Sequence, residues 1–319
     1  MTEFDAVLAA RDVIAGKLVR TPVQRVPGET FAPTLAGVEL VFKLEMFQRT
    51  GSFKIRGALN KLNSLSAEEK RRGVIGMSSG NHAQALAYGA QLEGVPATVV
   101  MPDFSVPGKI AATKAYGATV VLVPATEMFA TYERLRDEQG LAAVHPFDDP
   151  MIVAGAGTAA LELLEDEPNL DLVVAGVGGG GWISGTATAV KARSPKTRVV
   201  GAEPEGAPVV RRSLDAGRLV RLDSVNTVAD GLAPPFTGEV VFDRIQRLVD
   251  DVALVSDSEI LASMKLLIER LKAVVEPSGA ACFAALLSGK APVEPGQTVG
   301  VMLSGGNVDA ERLCKLLAS

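Results

Sequence analysis

Short apolar runs rich in β-branched residues recur along the chain, at positions 40–42, 74–77, 98–101, 119–123, 172–175, 199–202 and 299–303. Each is almost continuously apolar instead of alternating with polar positions. That is the pattern of strands buried on both faces of a parallel sheet. Segments of helical length lie among them, at 82–92, 107–116, 128–139, 157–165, 183–192, 257–271 and 279–287. Strand alternating with helix implies right-handed crossovers and an α/β class, here two doubly wound parallel-sheet domains. The strand-helix clusters span roughly 70–145 and 170–319, and the stretch from His145 to Pro150 reads as a connector between them. No internal repeat or low-complexity tract interrupts the pattern.

Composition narrows the class. With 319 residues, 47% of them hydrophobic and 22% charged, the chain can bury a large core as an ordinary globular enzyme. Its net charge of −5, with no basic block, argues against a nucleic-acid partner. No apolar run approaches the roughly 20 residues that span a bilayer, so no membrane partner is expected. The acidic start, Met1 to Asp5, lacks the basic and apolar regions of a signal peptide, and a cytoplasmic location is expected. Only Cys282 and Cys314 occur, far apart, which fits a reducing compartment and excludes a thiolate zinc site. The two histidines, His82 and His145, would have to supply any Ser-His-Asp triad or histidine metal centre. His145 sits where a strand end enters a turn, a structural setting, so the chemistry is expected to rest on something other than imidazole.

In open α/β sheets, ligands gather beyond the carboxyl ends of strands. Three segments hold that position: Ser78 to His82, Gly178 to Gly181, and Ser304 to Asn307. The tetraglycine follows one strand and precedes a helix, so its amides and the helix dipole suit a phosphate. A tight left-handed turn is the plainer reading, and a single glycine would favour it; four in a row favour the anion site. Positions 176–181 also fit Gly-x-Gly-x-x-Gly, with Glu203 some 20 residues on, the fingerprint of dinucleotide binding. That pattern is weak in a glycine-rich tract and begins past mid-chain. Ser78-Ser79-Gly80-Asn81-His82 offers hydroxyls, an amide and free helix N–H groups as a nest for a carboxylate, or else Ser79 or Asn81 merely caps the helix. Ser304 repeats the theme of a hydroxyl at a buried strand end. Lys54, taken alone, reads as a solvated cation. Its neighbours Gly51, Phe53, Ile55 and Gly57 are unusually small and apolar for that role, and desolvation would lower its pKa. A reactive amine together with a phosphate cradle is the pairing a pyridoxal phosphate enzyme requires.

With these residues assembled, the chain resembles the serine/threonine dehydratase and serine racemase family of fold-type-II pyridoxal phosphate enzymes, whose fold is like that of the tryptophan synthase β chain. The likeness runs through Thr50 to Ala58, Ser78 to Ala85, Ala115 to Ala118, Ala154 to Thr158, Gly176 to Gly181, Ala229-Asp230-Gly231, Val275 to Gly279 and Leu303 to Asp309. It implies a large cofactor-anchoring domain of residues 1–66 and 147–319 and a smaller substrate-clamping domain of residues 67–146. It implies that Lys54 bonds to the cofactor's aldehyde and that Phe53 packs on its ring. Asn81 would meet the 3-oxygen, Gly178, Gly179, Gly180 and Gly181 the phosphate, and Ser304 the pyridine nitrogen. Ser78, Ser79, Asn81 and His82 would receive the substrate carboxylate, with Gly231 and Glu276 lining the site. Lys54 would be the base that takes the Cα proton, and Ser79, facing it across the substrate, the acid/base of a racemisation.

The activity so implied is dehydration of L-threonine or L-serine, a small amino-acid substrate, to 2-oxobutanoate or pyruvate plus ammonia. Serine racemisation and 3-hydroxyaspartate dehydration are the alternatives within the family, and a nucleotide-binding oxidoreductase the alternative outside it. A neutral serine at the ring nitrogen would favour prompt elimination. By analogy a homodimer is expected. Relatives with a divalent-cation site carry acids at Glu203 and six residues later; the second position here is Val209, so no tight metal is expected and Glu203 reads as a remnant. Trp182 either narrows the pocket or simply packs. The chain ends soon after Asn307, so a carboxyl-terminal regulatory domain and feedback through it are not expected.

Overall fold

The computed structural model describes residues 2–318. Its ten strands are β1 (Val23–Pro27), β2 (Glu39–Leu44), β3 (Val74–Met77), β4 (Ala97–Pro102), β5 (Thr119–Val123), β6 (Ala142–Ala143), β7 (Leu172–Gly176), β8 (Arg198–Pro204), β9 (Asp251–Val255) and β10 (Thr298–Leu303). They form a six-stranded sheet in the order β1-β2-β10-β7-β8-β9 and a four-stranded sheet in the order β5-β4-β3-β6. All pairings are parallel except β1 with β2. The seven expected strands form. β1, β6 and β9 were not expected: β1 is an edge strand carrying Gln24 and Arg25 outward, and β6 is two residues long. β5 departs from the doubly buried pattern, because it is the edge of the smaller sheet and none of its residues is fully buried.

Strand order reverses between β7 and β10 in the large sheet and between β3 and β6 in the small one. Crevices open at such reversals, where neighbouring connections leave to opposite faces. The tetraglycine, Ser304 and the Ser78 loop follow β7, β10 and β3, so each stands at a reversal.

Helix Lys54–Ser64 was not expected, since Gly57 and three cations mask its pattern. Ile55, Ala58, Leu59 and Leu62 nevertheless lie at i, i+3, i+4 and i+7 and are all buried. Helix Pro150–Asp166 starts seven residues before the expected 157, because Asp149 caps it by accepting from the N–H groups of Met151 and Ile152. Two glycine contacts bind three helices tightly together. A Cβ on Gly155 would lie 2.4 Å from the Arg56 carbonyl oxygen, and one on Gly185 would lie 2.6 Å from Gly157 N. Helix Pro150–Asp166 is thereby clamped between helix Lys54–Ser64 and helix Gly181–Arg193, which hold the lysine and the glycine run in fixed relation.

Charge anchors the same place. The fully buried Arg56 donates to both oxygens of Glu45, at 2.8 Å each, and to those of Glu162, at 2.7 and 2.9 Å. Buried Lys43 donates to Glu162 and to the Thr21 carbonyl oxygen, both at 2.7 Å. Two cations and two carboxylates cancel, and planar guanidinium-to-carboxylate pairing fixes the angle of the helix just beyond Lys54.

Candidate active site

Lys54 occupies the first turn of its helix. Phe53 N–H donates to the Ser304 carbonyl oxygen at 3.0 Å, and Ser52 bridges to Gly305, so this turn is pinned to the end of β10. The Lys54 ammonium donates to the Pro146 carbonyl oxygen at 2.8 Å, in the connector between the two sheets. Protein encloses the amine, although the residue as a whole keeps partial contact with solvent along the cleft. Burial lowers its pKa to about 8, against a smaller opposing pull from the Glu276 carboxylate. Phe53 lies beside the amine, 5.1 Å from Nζ to the ring centroid, and stacks on Trp182 with centroids 4.0 Å apart. Trp182 thus packs as a buttress behind Phe53.

All four glycines after β7 are buried, and each would collide with protein if it carried a Cβ. Gly179 and Gly181 would strike Phe147 at 2.3 and 2.9 Å, Gly178 would strike Leu232 Cα at 2.9 Å, and Gly180, at φ +99°, would strike Ile245 at 2.8 Å. The requirement for glycine therefore comes from packing behind the loop. The N–H groups of Gly178, Gly179 and Gly180 find no acceptor among the described residues. Helix Gly181–Arg193 adds its positive end. Buried amides without partners are costly unless a ligand completes them, and this set suits an anion.

Neither Ser79 nor Asn81 caps helix Asn81–Glu93; its N-cap is Gly80 with no side-chain bond, so the first-turn amides stay open. Ser78 Oγ accepts from Gly80 N at 3.2 Å, while the exposed Ser79 hydroxyl has no partner among the described residues. Asn81 is held at both ends of its amide: Nδ2 donates to Glu276 Oε1 at 2.6 Å, and Oδ1 accepts from Asn307 Nδ2 at 2.8 Å. Asn307 Nδ2 also donates to the Thr50 carbonyl oxygen at 2.7 Å. This orientation leaves the second Asn81 N–H free to donate. Glu276 is 2% exposed, and burial together with the Asp230 charge raises its pKa to about 7. The buried Ser304 hydroxyl, at the end of β10, has no partner among the described residues. Gly231 N–H donates to Ser278 Oγ at 2.8 Å, and the Gly231 carbonyl oxygen lies 3.3 Å from where a Gly178 Cβ would stand.

The profile of the family described as pyridoxal-phosphate dependent enzymes matches residues 14–305. The chain belongs to that family. It is 41% identical to L-threonine ammonia-lyase of Thermotoga maritima over 285 residues, covering 89% of this chain and 71% of that one. It is 41% identical to L-threo-3-hydroxyaspartate ammonia-lyase of a Pseudomonas species over 322 residues, covering 99% of both. The structure of maize serine racemase superposes with a TM-score of 0.92 at 39% identity, covering 99% of this chain and 96% of that one. The fold is that of fold-type-II enzymes, and the cofactor is pyridoxal phosphate.

The residues fit that cofactor. Unpartnered loop amides suit its phosphate, an amine of lowered pKa its aldehyde, the free Ser304 hydroxyl its ring nitrogen and the Asn81 N–H its 3-oxygen.

His82, placed by resemblance in the carboxylate-binding loop, and Glu203, read as a remnant of a cation site, use their side chains elsewhere. His82 is buried, and its Nε2 lies 3.0 Å from the Val144 carbonyl oxygen; burial lowers its pKa to about 3, so it stays neutral. Only its backbone N–H faces the nest's open turn. Glu203 is fully buried and spent on a helix start: its two oxygens accept from the N–H groups of Val210 and Arg211 at 2.7 and 2.8 Å. That use also removes it as the ribose-binding acid of a dinucleotide fingerprint. His145 is structural, its Nδ1 accepting from Asp148 N at 2.8 Å.

The Pro146 carbonyl, Asn307, Arg56 and Lys109 escaped the sequence reading as site residues. Asn307 alone had a visible signal, as the fourth member of Ser304-Gly305-Gly306-Asn307. A backbone acceptor has no side-chain signature, and no local pattern sets Arg56 or Lys109 apart from other cations.

Proposed function

We propose that the chain is an ammonia-lyase that dehydrates and deaminates L-threonine or L-serine, with Lys54 as the residue that takes the Cα proton. The observation that carries this reading is the Lys54 amine, enclosed and lowered to about 8, on a turn pinned beside the glycine loop. Pyridoxal phosphate, when bound, supplies an electron sink for the pair left at Cα. Gly178, Gly179, Gly180 and Gly181 would hold its phosphate, Asn81 its 3-oxygen, Ser304 its ring nitrogen, and Phe53 would back the ring. The open amides of the Ser78 to His82 loop would orient the substrate carboxylate, with Gly231 and Glu276 lining the pocket. Lys54 moves a proton at its Nζ, which the lowered pKa leaves partly neutral, and so able to accept a proton, near neutral pH. Loss of the β-hydroxyl as water, then hydrolysis of the released enamine, yields the 2-oxo acid and ammonia.

Serine racemisation is the second reading, favoured by the open Ser79 hydroxyl. Against it, no base among the described residues touches that hydroxyl to activate it. The names of the relatives support both readings, and the neutral Ser304 favours elimination. The two sheets support the partition into a large unit of residues 1–66 and 147–319 and a small clamping unit of residues 67–146. We further propose a cytoplasmic homodimer; exposed Phe47 and Val274, beside a groove of about 350 Å³, offer a surface for the second copy. No helix among the described residues is long and apolar enough to cross a membrane.

Borohydride reduction of the holoenzyme followed by peptide mapping should place a pyridoxyl group on Lys54. Purified protein should release 2-oxobutanoate from L-threonine, and Lys54→Ala should abolish both label and turnover. A label on another lysine sinks the assignment; D-serine accumulating in place of pyruvate selects the racemase.

A further inference from the structure

The Asn81 amide stands between two groups that could each turn it. Glu276 Oε1 accepts from its Nδ2 at 2.6 Å, and Asn307 Nδ2 donates to its Oδ1 at 2.8 Å. A carboxyl accepts as the anion and donates as the acid, so Glu276 alone permits Asn81 in either orientation. Asn307 permits only one. Its Nδ2 also donates to the Thr50 carbonyl oxygen at 2.7 Å, and a backbone carbonyl can only accept. Turning Asn307 over would set its oxygen against that carbonyl, two acceptors face to face. Lys109 is the neighbouring cation, its Nζ 3.5 Å from where a Gly80 Cβ would stand. It donates instead to Asp230, which also accepts from Arg312, and has no bond to Asn81 among the described residues.

The backbone bends to bring the Thr50 carbonyl within reach. Thr50 is left-handed, at φ +64° and ψ +10°, an outlier for a β-branched residue. Its own hydroxyl is buried without a partner among the described residues, so the side chain does not hold it there. The following turn does: Gly306 N–H donates to the Gly51 carbonyl oxygen at 3.0 Å. Gly51, at φ +70°, also makes room, since a Cβ there would collide with the Asn307 side chain. Strain of this kind persists only where surrounding contacts over-determine it, and it gathers at functional sites.

We propose that Asn307 is a positioning residue that fixes the Asn81 amide with its free N–H toward the cofactor's 3-oxygen. The inference rests on the placement of Asn81 at that oxygen, as argued above. Turned over, Asn81 would present Oδ1 there, an acceptor against an acceptor. Asn307 acts through Asn81 alone, and its own orientation comes from the Thr50 carbonyl. That carbonyl cannot titrate, so the orientation holds whichever form Glu276 takes.

The test is a mutant cycle on cofactor affinity. The full chain, stripped of cofactor, is titrated with pyridoxal phosphate and with its 3-deoxy analogue, and quenching of Trp182, the only tryptophan, reports binding. The ratio of the two affinities isolates the 3-oxygen. Asn307→Leu, which has no donor, should lower the ratio about threefold. Asn307→Asp, which puts an acceptor in the donor's place, should lower it about tenfold, the scale of one hydrogen bond to a charged group. In an Asn81→Ala background neither should change the ratio. Because a donor favours the anion of the 3-oxygen, absorbance of that form should fall in the same order. Asn307→Ala carries the expectation of Asn307→Leu if the latter does not fold. Equal loss for both ligands, or a loss of ratio that persists with Asn81→Ala, overturns the proposal. A ratio unchanged by Asn81→Ala itself removes Asn81 from the 3-oxygen and the proposal with it. A ratio lowered by Asn81→Ala and not by Asn307→Leu overturns the proposal alone. No turnover is measured, so the result does not depend on which amino acid the chain acts on.

Discussion

The Lys54 environment makes a quantitative claim about how the chain captures its cofactor. Only the neutral amine attacks an aldehyde. An ordinary lysine at pH 7 is roughly 0.03% neutral, whereas one at about 8 is roughly 9% neutral, some 300-fold more. If cofactor-stripped protein is mixed with sub-saturating pyridoxal phosphate, the rate of visible absorbance recovery should rise about tenfold per pH unit up to about 8 and then level off. Dividing by the rate for a reference amine of low pKa, neutral in every buffer used, removes the aldehyde's own pH dependence. Glu276 opposes the depression, because its carboxylate stabilises the ammonium. Glu276→Gln should therefore move the break to lower pH. A rate still climbing at pH 10, or a break that moves upward in Glu276→Gln, would refute the claim that burial dominates at Lys54.

The glycine loop and the buried histidine give two further expectations. Gly179→Ala puts a methyl 2.3 Å from the Phe147 ring and should cost about 1–3 kcal/mol, read as a lowered Tm, with Phe147→Leu in the same chain recovering part of it. His82 is held neutral down to about 3 against an ordinary 6.5, so the unfolded chain takes up a proton first as pH falls. Stability should then drop by up to about 1.4 kcal/mol per pH unit below pH 6 from this group, and His82→Gln should flatten that slope in urea titrations at pH 4 to 6.

Sequence alone determined the class of this protein and singled out most of its candidate site residues. Near-continuous apolar runs of strand length suit strands covered on both faces, which is why β2, β3, β4, β7, β8 and β10 were legible, while β5 kept the run at a sheet edge. Lys54, the tetraglycine, the Ser78 loop and Ser304 were legible because each combines a chemical group with a strand end or an apolar setting. Helices Lys54–Ser64, Val209–Ala216 and Glu239–Leu248 were not, since charges crowd these short segments and Arg56, Arg211 and Arg244 find partners far along the chain, at Glu162, Asp251 and Glu3. Tertiary structure decided what each group is free to do. It turned His82 and Glu203 away from ligand chemistry, because a carbonyl and a helix start had the prior claim on them. It assigned the four glycines to packing, freeing their amides for an anion. It also brought Lys109, Asp230 and Arg312 together across 203 positions of sequence, a cluster of ion pairs that no local pattern encodes because Coulomb interaction depends on distance in space.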